Sequence, residues 1–88
     1  MKKYNIRYSK NIIKLTKSIP VGYLRLIKQK IEILKINPKQ GNGIKKLVAL
    51  EEVYRLRVGN YRVIYEVKDT VRIVLIIRIR QRKDAYKI

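Results

Sequence analysis

The chain of 88 residues has no cysteine, no histidine and no tryptophan. Without cysteine there is no disulfide to staple a small fold and no thiolate nucleophile, and without histidine the usual zinc sets and a serine triad are excluded as well. Acidic residues are scarce: Glu32, Glu51, Glu52, Glu66, Asp69 and Asp84 are all there are. They form no cluster of the kind a two-metal nuclease needs, so neither a metal site nor a cofactor is expected. Long apolar runs are lacking too. No segment approaches the ~20 residues of a membrane span, and Met1-Lys2-Lys3 leads into a strand-like segment rather than a signal-peptide core. The expectation is a cytoplasmic protein with no membrane partner.

What the chain has is positive charge. Lys and Arg number 23 against the six acids, for a formal net charge of +17, and the cations run from Lys2 to Lys87 rather than gathering in a tail. Apolar residues make up 47% of the chain, too many for a disordered basic arm. A folded basic domain with a polyanionic partner is expected, and the length suits one domain over residues 1–88 with one modest core.

Periodicity predicts the elements. Tyr4, Ile6 and Tyr8 alternate as a short strand, and Ser9 is placed to cap a helix over Lys10 to Ser18 that carries Ile12, Ile13 and Leu15. Ser18-Ile19-Pro20 starts a second helix, in which Val21, Leu24, Ile27, Ile31 and Leu34 recur at spacings of three and four until Asn37-Pro38 stops it. After the Gly41-Asn42-Gly43 loop, Val53–Val58 and Tyr61–Lys68 alternate as two strands joined by a Gly59-Asn60 hairpin turn. Thr70 to Ile79 alternates again. The order is β-α-α-β-β-β, an α+β fold.

A two-residue turn pairs Val58 with Tyr61, Arg57 with Arg62, Leu56 with Val63 and Tyr54 with Tyr65, so Arg55, Arg57 and Arg62 share one face. The opposite face is the candidate core, joined there by Ile73 and Leu75 and covered by the helices. A three-residue connection, Lys68-Asp69-Thr70, pairs Val67 with Val71 and Glu66 with Arg72, and carries Arg78 and Arg80 onto the arginine face. That face also holds Val53, Ile64, Val74 and Ile76, and a half-apolar, half-arginine surface reads as a binding surface. Like charges opposite each other weaken a ladder, which makes the Arg57–Arg62 pair informative. The competing reading is a solvated basic face with no specific role, since charge alone reports solubility and non-specific binding.

RNA cleavage is compatible with so short a list of reactive groups. The 2′-hydroxyl can attack its own phosphate, leaving the protein to orient groups, remove a proton and stabilise charge. Tyr86 is the candidate base: a phenol titrates near ~10, and neighbouring arginines favour its anion. Its ordinary alternative is an aromatic packed near the C-terminus.

The run Val53-Tyr54-Arg55-Leu56-Arg57-Val58-Gly59-Asn60-Tyr61-Arg62-Val63-Ile64-Tyr65-Glu66-Val67 closely resembles the central hairpin of RelE/ParE toxins. Arg80-Gln81-Arg82-Lys83-Asp84-Ala85-Tyr86 is similar to the family's terminal motif, and with the element order the resemblance covers essentially the whole chain. It implies a RelE-like fold, with an N-terminal strand and two helices packed on one face of a mainly antiparallel sheet. For the RelE branch it implies the toxin of a type II toxin–antitoxin system, a metal-independent endoribonuclease that cuts messenger RNA in the ribosomal A site. Carried over by position, the catalytic set is Arg55, Arg57, Arg62, Arg80 and Tyr86: Arg62 and Arg80 at the scissile phosphate, Arg55 and Arg57 orienting RNA, Tyr86 accepting the 2′-hydroxyl proton. Arg78, Arg82, Lys83, Lys45 and Lys46 are the expected RNA-binding residues around them. Two departures stand out: arginines at 55 and 57 where better-known RelE proteins place lysines, and Gln81 where many relatives carry histidine. The implied partners are the ribosome with its message and a RelB-like antitoxin, an acidic chain that can assemble with the toxin as a heterotetramer and bind operator DNA. A ParE-like inhibitor of DNA gyrase and a non-catalytic RNA- or ribosome-binding protein remain alternatives.

Overall fold

The computed structural model describes residues 3–47 and 51–81, with Ile13 and Leu15 described by their backbone alone. Tyr86, Arg82 and Lys83 therefore lie outside the described residues. The elements are β1 (Asn5–Tyr8), α1 (Lys10–Leu15) running into a 3₁₀ turn (Thr16–Ser18), α2 (Val21–Ile33), β2 (Ile44–Lys46), β3 (Val53–Val58), β4 (Tyr61–Lys68) and β5 (Ile73–Gln81). They form one five-stranded sheet in the order β1-β5-β4-β3-β2. Only the β1–β5 pairing is parallel.

The expected α+β class is found, with one strand more than expected. β2 is the addition, and its Ile-Lys-Lys is too short to show alternation. It forms because Gly43 brings the chain hard against β3: the Arg57 N–H donates to the Gly43 carbonyl at 2.9 Å, and a Cβ at Gly43 would lie 3.0 Å from the Arg57 carbonyl oxygen. Gly43 has φ +80, which glycine adopts without strain.

The helices follow their apolar spacing with two differences. Ser9 occupies the position before α1, but its hydroxyl donates to the Ile77 carbonyl (3.4 Å) instead of capping the helix. Val21 is 71% exposed, so the buried stripe of α2 begins at Leu24 and runs through Ile27, Ile31 and Leu34. These residues pack with Ile12 and Ile19 onto the face of the sheet carrying Tyr54, Leu56, Val58, Tyr61, Val63, Tyr65 and Val67. Buried and less buried residues alternate without a break along β3 and β4, the signature of a sheet covered on one side.

The hairpin register is the expected one, with Arg57 opposite Arg62 and Tyr54 opposite Tyr65. Gly59 has φ +56 and Asn60 a negative φ, as a turn with glycine at its first central position requires. The register of β5 is not the expected one. The connection spans four residues, Asp69 to Arg72, so that Lys68 faces Ile73, Val67 faces Val74 and Glu66 faces Leu75. Glu66 therefore does not pair with Arg72, whose guanidinium lies over the Tyr4 ring, 5.1 Å from its centre. Val74 and Ile76 are fully buried core residues, while Ile73 and Leu75 fall on the open face, the reverse of the sequence reading.

A bulge then restores the phase. Tyr65 faces Ile76, the next residue back, Ile64, faces Arg78, and Ile77 is the extra residue. Without it, Arg78 and Arg80 would lie opposite Val63 and Tyr61, both buried. Unpaired buried guanidinium groups cost several kcal/mol, so a locally broken ladder is the cheaper solution. Ile79 takes the core position, and the arginines reach the open face.

At the far end of the sheet, polar groups fasten the loops. Lys39 bridges Asp69 (2.6 Å) and Glu52 (3.2 Å); Asp69 also accepts the Tyr4 hydroxyl and Glu52 that of Tyr54 (2.9 Å). The buried Tyr65 hydroxyl donates to the Pro38 carbonyl at 2.6 Å. The start of β1, the loop after α2, the start of β3 and the β4–β5 turn are thus held together.

Candidate nucleic-acid interface

The face away from the helices is arginine-rich because of how three strands register. Arg57 lies opposite Arg62, and Arg62 opposite Arg80, giving a row of three arginines across β3, β4 and β5. With neighbouring strands about 4.8 Å apart, the row is about 10 Å from end to end at its Cα atoms. The next row is Arg55, Ile64 and Arg78, and β2 adds Lys45 beside Arg55. Lys46 turns to the other face, where it pairs with Tyr54, sits 6.0 Å from that ring's centre and reaches Glu52 at 3.7 Å. Of the expected site residues, the described part thus brings Arg55, Arg57, Arg62, Arg78, Arg80 and Lys45 onto one face and sends Lys46 elsewhere.

Glu66 shares this face, one row beyond Ile64 and opposite Val53 and Leu75, but forms no ion pair with the arginines. Among the described residues, none of the five arginines forms an ion pair; Glu32, Glu52 and Asp69 are taken up by Lys35, Lys39 and Lys46. Arg55 and Arg62 each have their Nε shut away from solvent with no hydrogen-bond partner. A buried donor left unmade costs stability, and so does a row of like charges across a ladder. The fold tolerates both on the same few residues. An anion laid along the row would relieve the repulsion, and guanidinium groups suit a phosphate because their donors form a fork.

Four of the described tyrosines are made poorer bases by their surroundings. Tyr65 and Tyr54 have their hydroxyls pushed above the ordinary phenol range by burial, Tyr8 likewise, and Tyr4 chiefly by its bond to the Asp69 carboxylate. The described residues do not gather three or more carboxylates that could hold a metal ion, and no described helix is long and apolar enough to cross a membrane.

Sequence reasoning missed Leu47 and Ile77, which with Ile64 floor a hollow of about 350 Å³ rimmed by Arg62, Arg78 and Arg80. The run from Ile73 to Ile77 is apolar at every position and carried no signal for the bulge.

An α+β fold with two helices on one face of a mostly antiparallel sheet is shared with known proteins. The ParE toxin family of type II toxin–antitoxin systems, parDE, matches residues 4–86. The chain belongs to the RelE/ParE superfamily of toxins. Among individual relatives, it is 41% identical over 87 residues to RelE1 of Methanocaldococcus jannaschii, described as a toxin, covering 97% of each chain. The structure also resembles the toxin in the RelB–RelE antitoxin–toxin complex of Methanococcus jannaschii (TM-score 0.71, 31% identity, 92% of this chain and 95% of the other). A further match is the archaeal RelE–RelB complex of Pyrococcus horikoshii (TM-score 0.76, 25% identity, 90% and 94%).

Proposed function

We propose that this toxin is a metal-independent endoribonuclease that cuts messenger RNA in the ribosomal A site. The observation that carries the reading is the row Arg57–Arg62–Arg80, an unneutralised cationic ladder on a face the fold leaves open. In the proposed reaction the 2′-hydroxyl oxygen attacks the adjacent phosphorus, its proton passes to a base, and the 5′-oxygen of the next nucleotide leaves and takes up a proton. The products are a 2′,3′-cyclic phosphate and a 5′-hydroxyl end. Arg62 and Arg80 stabilise charge on the phosphate oxygens, Arg55 and Arg57 orient the strand, and Tyr86 is the base. Arg78 and Lys45 extend the cationic track, and Arg82 and Lys83, outside the described residues, are further RNA-binding candidates by sequence. Arginine is a weak acid, so the leaving oxygen takes its proton from water or the ribosome.

A RelB-like acidic antitoxin is the proposed regulator. The two archaeal neighbours were crystallised with RelB, and a +17 chain with an open half-apolar sheet face suits an acidic cover. A second reading has an observation of its own: the family that matches residues 4–86 is described by ParE, which favours an action on DNA gyrase.

Primer extension on a defined message, with purified protein and with or without programmed ribosomes, separates these readings. Cuts within the A-site codon, dependent on ribosomes and lost in Arg62→Ala and Arg80→Ala by ~10²-fold or more, are expected. Uncut message together with inhibited gyrase supercoiling would replace this reading with the ParE one.

A further inference from the structure

The hollow floored by Leu47, Ile64 and Ile77 is not explained by phosphate binding, which needs no apolar floor. We propose that it holds a single unstacked nucleobase of the RNA, gripped by its faces, beside the phosphate on the arginine row; the inference rests on the RNA-cleaving reading.

Three observations place it. First, Ile64 is the centre of the second cross-strand row, between Arg55 and Arg78, and is two residues from Arg62 on the same face. A nucleotide whose phosphate lies on Arg62 and Arg80 therefore has an apolar surface within reach of its base. Secondly, the bulge sets both Ile77 and Arg78 beside Ile64, where a regular strand would supply one side chain, and both line the hollow. Thirdly, Leu47 closes the hollow from the β2 side. Its N–H is bonded to the Val53 carbonyl (2.9 Å), and its side chain stays 46% exposed, a large apolar group held open over a basic face.

The chemistry selects the occupant. Three of the six lining residues are arginines and none is acidic, so the ligand carries negative charge next to an apolar body. A nucleotide has both, and guanidinium planes stack on bases as well as forking onto phosphates. A peptide fits less well. Arg62 and Ile64 belong to β4, an interior strand paired on both sides, so a peptide laid over the hollow finds no free backbone edge to join. Among the described residues no aromatic platform lines this hollow: Tyr54, Tyr61 and Tyr65 are buried on the helix face. The grip is therefore aliphatic below and guanidinium around, reading that a base is present more than which base it is.

The test is single-turnover cleavage on programmed ribosomes, using messages with an abasic nucleotide at each position of the A-site codon in turn. Wild type is compared with Leu47→Ser and Ile64→Ser; Leu47 is half exposed, so its variant should fold even if Ile64→Ser does not. For wild type, loss of the base at one position should slow cleavage about tenfold. In Leu47→Ser the intact message should already be cut several-fold more slowly, and the abasic penalty should shrink to within about twofold, because the floor and the base act as a pair. Equal rates for abasic and intact messages with wild type, or an undiminished penalty in Leu47→Ser, overturn the inference and leave phosphate recognition standing, with the hollow then free for a protein side chain. Failure of wild type to cut the intact message would instead overturn the RNA-cleaving reading, and this inference with it.

Discussion

Two one-residue deletions in β5 test the bulge. Removing Ile77 takes out the extra residue: Ile76 still faces Tyr65, Arg78 still faces Ile64, Ile79 still faces Val63 and Arg80 still faces Arg62, now in an unbroken ladder. What is lost is one partly buried side chain and the long Ser9 hydroxyl bond to the Ile77 carbonyl. Stability should stay within ~1 kcal/mol of the parent. Removing Ile79 differs by one letter in the chain and has the opposite consequence. With the bulge retained, Arg80 falls opposite Val63; with the bulge abolished, Arg78 does. Val63 is fully buried, so either register forces a guanidinium into the core at about 3–5 kcal/mol, a large share of the ~5–15 kcal/mol that domains hold in total. Urea unfolding followed by circular dichroism, with amide spectra to check the native fold, distinguishes the two. Comparable losses in both deletions would refute the claim that arginine exclusion sets the register of β5.

Other consequences concern the arginine row and the polar fastening. Arg62→Gln removes one of three aligned charges and a buried unpaired Nε, so it should raise stability by up to ~1 kcal/mol at low salt, and by less as salt is added, while losing activity; a loss of stability in urea titrations would show that the row is not strained. Tyr65→Phe leaves the Pro38 carbonyl without its buried donor and should cost about 1–2 kcal/mol by urea midpoint. The carboxyls of Asp69, bonded to Lys39 and Tyr4, and of Glu52, bonded to Tyr54 and Lys39, titrate below their ordinary range. Their contribution is therefore present above the unfolded carboxylate pKa near ~4 and is lost as pH falls through the lower folded values. Lys39 is held above the usual lysine range chiefly by Asp69, so its share persists through neutral pH and is lost only at strongly alkaline pH. Asp69→Asn should be less stable than the parent at pH 7 and approach it at pH 2; an equal gap at both pH values would sink this account.

The central hairpin could be read to the residue, because Val53–Val58 and Tyr61–Lys68 alternate strictly and the intervening Gly59-Asn60 admits one short turn. That fixed the facing of Arg55, Arg57 and Arg62. β5 could not be read this way. From Ile73 to Ile77 every residue is apolar, so either phase looks buried, and only Arg78-Ile79-Arg80 carries phase information. The sequence reading reached the right face for Arg78 and Arg80 through the wrong connection, reversing Val74 and Ile76 with Ile73 and Leu75. Lys45 and Lys46 could not be separated either, since β2 has too few residues to alternate.

The amino-acid pattern by itself determined the α+β class, the hairpin, the excess of cations and the lack of any thiol or imidazole side chain, because these depend on local periodicity and residue type. Tertiary structure decided the phase of β5, the bulge at Ile77, the parallel β1–β5 pairing and the hollow beneath Leu47. Those depend on competition between registers. The winning register hides Val74, Ile76 and Ile79 against the helices while keeping Arg78 and Arg80 in water, and that comparison exists only once the strands are side by side.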